Sequence, residues 1–112
     1  MITAVINGIM WEVQIVPPTF PALFTGNSFT FGCCDNNTHI IYIADGLNES
    51  KFYKVLGHEM THAAMFSYGI SLTYDQEELL ADIISTYGKE IVIVTNRVFR
   101  KIKNNKIMGR TY

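Results

Sequence analysis

A chain of 112 residues, 48% of them hydrophobic and 17% charged, carries enough apolar material for one core and too little length for a second lobe, which predicts a single domain over 1–112. That composition excludes an intrinsically disordered chain, and the absence of repeats or low-complexity tracts excludes fibrous and solenoid classes. No apolar run reaches the roughly 18 residues of a membrane span and the N-terminus has no basic signal region, so a cytoplasmic protein without a membrane partner is expected. The formal net charge of −1 conceals a split between an acidic body and a basic tail.

The first third of the chain reads as β-structure. Ile2 to Val16 is rich in Ile and Val, Asn7-Gly8 is a hairpin turn signal, and Pro17-Pro18 stops the second strand. Phe20 to Asn27 reads as a loop. Phe29-Thr30-Phe31-Gly32 and His39 to Ile43 then read as a second pair of strands, joined through Asp35-Asn36-Asn37. Between them lie adjacent Cys33 and Cys34, which lack C-x-x-C spacing and are expected as free thiols. His39 is expected to be a surface strand residue.

A helix follows. Asn48 is a candidate N-cap, Glu49 suits the positive end of the helix dipole, no proline interrupts Lys51 to Tyr68, and Gly69 stands at a natural C′ position with Ile70 behind it. Phe52, Val55, Leu56, Ala63 and Phe66 form its apolar face. On this helix stands His58-Glu59-Met60-Thr61-His62, an H-E-x-x-H motif. At 3.6 residues per turn the two imidazoles share a face and can bind one metal, while Glu59 points about 100° away, toward a water rather than the ion. That spacing reads as a zinc site with its own general base.

A catalytic zinc needs a third protein ligand. Asp75-Gln76-Glu77-Glu78 opens a second helical pattern running through Leu79, Leu80, Ile83, Ile84 and Tyr87 to Gly88. Leu80, Ile83, Ile84 and Tyr87 form one stripe, and Glu78 lies opposite it, flanked by small Ala81 and Ser85 that would permit close approach to the histidine helix. Glu78 is therefore the first choice for the third ligand, Glu77 the second, and Asp75 or Asp82 follow.

Past Gly88, Ile91, Val94, Val98 and Ile102 keep helical spacing and predict a third helix over Lys89 to Lys103, although Ile91 to Thr95 is β-branched enough for a strand. Residues 1–95 hold three basic and ten acidic groups, whereas residues 96–112 hold six basic groups (Arg97, Arg100, Lys101, Lys103, Lys106, Arg110) and no acid. The plain reading of that tail is a solvated basic helix face, which leaves a nucleic-acid partner as a minor alternative.

Together, His58-Glu59-x-x-His62 and the downstream Glu78-x-x-x-Asp82 resemble the gluzincin metallopeptidases, in which a glutamate from a second helix completes the zinc site. The stretch Glu78-Leu79-Leu80-Ala81-Asp82-Ile83-Ile84 also resembles the E-x-x-A-x-x-F element of the short zinc metallopeptidases encoded by phages and mobile elements. The resemblance runs from Ile40 to Gly88. It implies Zn2+ held by His58, His62 and Glu78, Glu59 as catalytic base, and Asp82 supporting a ligand histidine. It also implies a small zincin-like α+β domain, with an antiparallel or mixed sheet packed on two ligand-bearing helices, and His39 to Ala44 as an edge strand that receives extended substrate.

The expectation is thus a zinc-dependent peptidase, an endopeptidase acting on a protein or peptide, with Tyr68, Tyr74 and Tyr87 as unranked candidates for oxyanion stabilisation. The alternative is a catalytically silent, phage-type zinc-binding regulatory protein. An intact Glu59 speaks against that alternative, since a structural zinc needs no base.

Overall fold

The computed structural model describes residues 1–105. Strand β1 (Ile2–Ile6) turns at Asn7 and Gly8, both at positive φ, into β2 (Ile9–Val16), with Ala4 opposite Trp11 and Val5 opposite Met10. The Asn-Gly pair forms such a turn because both central residues must enter the left-handed region, where these two types are least strained. A 3-10 turn at Pro21–Leu23 leads to a short hairpin of β3 (Phe24–Thr25) and β4 (Ser28–Phe29). Strands β5 (Gly32–Asp35) and β6 (Ile40–Ala44) follow, then helices α1 (Glu49–Ser67) and α2 (Tyr74–Asn104). The fold is α+β, with a mixed sheet and two helices.

The sheet order is β1-β2-β6-β5, with β2 and β6 parallel and the two outer pairings antiparallel. One face packs on α1: Trp11, Val13, Ile41, Ile43 and Ala63 form the main core, with Phe52, Val55, Leu56 and Met60 against it. Trp11, 0% exposed, donates from Nε1 to Ser67 Oγ at 2.8 Å, and Asn7 donates from Nδ2 to the Ser67 carbonyl at 2.9 Å. The hairpin is thereby fastened to the end of α1. On the other face, Val16, Leu23 and Ala44 form a smaller cluster with Phe20 and Tyr42.

Several expectations change. The segment read as a loop over Phe20 to Asn27 contains the 3-10 turn and strand β3. Phe29 pairs with Phe24 rather than with the main sheet, and the partner of β6 is Gly32–Asp35. The reason is local: Asp35 Oδ1 accepts from Asn37 N at 2.9 Å, an Asx turn that starts the return at Asp35 and sets the register of the strand before it. His39 is a turn residue at φ 56, its ring tilted against Trp11 at 4.9 Å and Phe66 at 5.6 Å between centroids. The segment His39 to Ala44 is not an edge strand. As β6 it lies inside the sheet, whose edges are β1 and β5.

The expected third helix is also absent as a separate element. A single helix of 31 residues runs from Tyr74 through Gly88 to Asn104, about 46 Å at 1.5 Å per residue. Gly88 costs a helix only about 1 kcal/mol relative to Ala, and it keeps a negative φ, so no left-handed C-cap forms there to end the helix. Of the basic tail, Lys106 and Arg110 lie outside the described residues.

Candidate metal centre

Helix α1 begins where its capping chemistry places it. The Asn48 side chain accepts from Lys51 N at 2.8 Å. At the other end, Ile70 N donates to the Met65 carbonyl at 2.9 Å and Gly69 N to Phe66 at 3.1 Å, with Gly69 at φ 66: a Schellman ending. Helix α2 starts with a reciprocal capping box, Thr73 Oγ1 accepting from Gln76 N at 3.2 Å and Gln76 Oε1 from Thr73 N at 3.1 Å. The T-x-x-Q pattern carries that signal in the sequence, its Thr73 standing two residues ahead of Asp75, where the acidic cluster begins.

The two helices run antiparallel and cross closely at Gly57 and Ser85. A Cβ on Gly57 would stand 3.3 Å from Ser85 Cβ. Ala81, one turn before Ser85 on α2, is 0% exposed. This crossing brings His58, His62 and Glu78 into one cluster that could hold a metal ion. His58 Nε2 lies 3.2 Å from Glu78 Oε2, His62 Nε2 lies 2.9 Å from Glu78 Oε1, and the two Nε2 atoms are 3.2 Å apart.

The opposite ring nitrogens are equally well placed. His58 Nδ1 faces Asp82 Oδ1 at 3.0 Å, and His62 Nδ1 faces Glu77 Oε1 at 2.7 Å. An ionised carboxylate only accepts, so each ring proton belongs on Nδ1, which leaves both Nε2 lone pairs aimed at each other and at the Glu78 carboxylate. Three acceptors converging on one point repel unless a cation or proton sits among them. Two imidazoles and a carboxylate are a zinc donor set, and donors about 2.0–2.1 Å from a tetrahedral centre stand about 3.3 Å apart, close to the spacings here. The residues fit a zinc ion.

Of the other acidic candidates, Asp75 is exposed and does not line this cleft. Glu77, weighed in the sequence as a rival ligand, faces the far nitrogen of His62. Adjacent glutamates on a helix diverge by about 100°, which is why the two can serve opposite edges of one ring.

Glu59 is 7% exposed and lies between α1 and the edge strand β5. A Cβ on Gly32 would come within 2.8 Å of Val55 Cγ1 and 2.9 Å of Glu59 Cγ, so only glycine lets the strand lie this close over the carboxylate. Burial pushes the Glu59 carboxyl above its usual range; His58 and His62 pull it down, and Glu78 adds to the rise. Burial likewise raises the Cys34 thiol to about 12, helped by Glu59, and raises Cys33, so both unbridged thiols stay protonated.

The cleft above these groups has a volume of about 600 Å³ and is bounded by β5 on one side and by Lys51, Lys54 and Ser85 on the other. Tyr74 also lines it. Tyr68 and Tyr87, the other two tyrosines considered for the oxyanion, do not. Sequence reasoning missed Gly32, for which a lone glycine before two cysteines gave no signal.

The chain matches no protein-family model, no curated protein and no solved structure. The resemblance to gluzincins therefore rests on the two motifs and on the geometry they adopt. Among the described residues, no helix is long and apolar enough to cross a membrane.

Proposed function

We propose that this protein is a zinc-dependent peptidase of zincin-like design, with His58, His62 and Glu78 as the metal ligands and Glu59 as the general base. The observation that carries the reading is the convergence of both Nε2 atoms and the Glu78 carboxylate on one point, with each Nδ1 held by its own carboxylate. When bound there, zinc supplies Lewis acidity that polarises a peptide carbonyl and acidifies a water.

Asp82 and Glu77 keep the ring protons on Nδ1 and fix both ring planes, so the Nε2 lone pairs need no reorganisation. Glu59 stands beside the cluster on the same helix without competing for the ion, since its carboxylate points toward β5. Its raised proton affinity matches a base that takes a proton from water at Oε and passes it to the departing amine nitrogen. Edge strand β5 offers an extended peptide backbone groups along the cleft wall. Of the three tyrosines considered for the oxyanion, Tyr74 is the one that lines the cleft, and we assign it that role.

Glu59→Gln tests the reading. The variant should fold and keep zinc while losing peptide hydrolysis by several orders of magnitude, measured by mass spectrometry of a peptide library after incubation. Unchanged hydrolysis by Glu59→Gln would remove Glu59 as the base, and no hydrolysis by the zinc-loaded native protein would leave a metal-binding protein without turnover.

A further inference from the structure

A second groove lies beside the metal cleft. It runs between the first turns of α1 and the stretch of α2 from Ser85 to Arg97, with a volume of about 820 Å³. Its walls carry Lys51, Lys54, Lys89 and Arg97, and its floor includes Tyr53, Ile93 and Val94, about half exposed.

The placement of charge is the notable fact. Residues 1–95 contain three basic groups against ten acidic ones, and all three basic groups, Lys51, Lys54 and Lys89, line this one groove, joined by Arg97. Only one of the ten acids, Glu90, lines it with them. Among the described residues, none of the four cations lies within ion-pair distance of a carboxylate; the ion pairs are all made by His58 and His62. Lys51 Nζ and Lys89 Nζ instead sit over the rings of Phe31 and Tyr53, at 4.9 and 5.2 Å. Four cations gathered around a single acid, Glu90, repel one another, and an anionic ligand relieves that repulsion.

The groove is continuous with the metal cleft, because Lys51, Lys54 and Ser85 line both. A chain lying in the cleft would run on into it. Its floor of Ile93 and Val94 suits apolar side chains and gives bases nothing to stack on apart from Tyr53. These features select an acidic polypeptide over a nucleic acid.

We propose that this groove is a docking site for an acidic segment with interspersed apolar residues, flanking the bond to be cleaved in the substrate. Calling that segment part of a substrate rests on the peptidase reading above; the binding itself does not.

The test uses the full-length, zinc-loaded protein in the Glu59→Gln background, so that the probe stays intact. Fluorescence anisotropy compares a labelled peptide carrying glutamates around a Leu-Phe pair with the same peptide carrying glutamines, and with an oligothymidylate of equal charge. The glutamate peptide should bind about tenfold more tightly than the glutamine peptide at low salt, with the difference shrinking as salt rises. Lys89→Glu together with Arg97→Glu, both outside the metal cleft, should abolish that preference while zinc content and helicity stay unchanged. Equal binding of the two peptides overturns the proposal. So does oligothymidylate displacing the glutamate peptide, which makes the groove a phosphate site, or concentration-dependent self-association that blocks it, which makes the occupant a second copy.

The two proposals fail separately. Acidic-peptide binding alongside a native protein that hydrolyses nothing removes the peptidase and leaves the groove. Hydrolysis of neutral and acidic peptides at equal KM and kcat, with no charge preference in binding, does the reverse.

Discussion

The two halves of α2 obey opposite rules. From Tyr74 to Ser85 the helix presents Glu77, Glu78, Ala81 and Ser85 to α1, and the one fully buried residue of the whole helix is Ala81. From Thr86 to Asn104 none of the apolar residues is fully buried: Ile91, Val92, Ile93, Val94, Val98 and Phe99 are exposed and Ile102 is half-buried. Bulk and hydrophobicity therefore fail to predict which face of this helix is buried. Size decides instead: a helix pair that must bring three ligand atoms together needs a short interaxial distance, and only Gly, Ala and Ser at the crossing allow it.

The sharpest way to break this comparison is at the ligands. His58→Ala or His62→Ala should reduce bound zinc from about one per chain to almost none after dialysis, because two donors hold the ion weakly. Full retention, measured by atomic emission, would show that the crossing does not build a metal site. Glu78→Gln should have a nearly equal effect.

The carboxylates behind the rings should matter less. Asp82→Asn and Glu77→Gln should each weaken zinc binding about 10 to 100-fold, read by competition with a chelating dye, since each removes one charged partner from an Nδ1 proton and no ligand. A loss from Glu77→Gln larger than that from Glu78→Gln would exchange their roles.

Packing comes next. Ala81→Leu forces extra volume into the closed crossing and should cost about 1–3 kcal/mol in urea unfolding, with a parallel loss of zinc affinity. The smallest effect belongs to the other half: Ile91→Ala, at a residue 58% exposed, should change stability by less than about 0.5 kcal/mol despite removing a larger apolar side chain. A cost comparable to that of Ala81→Leu would mean that the far half of α2 is covered in solution.

Elements with local causes were readable in advance. Asn48, Gly69 and Asn7-Gly8 act through their own backbone neighbourhoods, so the ends of α1 and the first hairpin needed no knowledge of the rest of the chain. The His58/His62 spacing is likewise a property of one helix. The flanking Ala81 and Ser85 even indicated which side of α2 meets α1, because small residues announce close approach. By contrast, the stripe of Leu80, Ile83, Ile84 and Tyr87, the usual mark of a buried face, misled: Ile83, Ile84 and Tyr87 are exposed.

What the amino-acid sequence determined by itself, then, was the α1 helix with its caps, the motif upon it, and the short list of acids able to complete the site. Tertiary structure decided the rest. Strand order depends on pairings between residues far apart, and no local pattern could place β6 inside the sheet and β5 at its edge over Glu59. The place of Glu77 behind His62 Nδ1 depends on the rotation of α2 against α1 at the Gly57–Ser85 contact, which no single-helix pattern specifies. The gathering of Lys51, Lys54, Lys89 and Arg97 into one groove arises because antiparallel helices bring together residues more than thirty positions apart, a juxtaposition that exists only once both helices have packed.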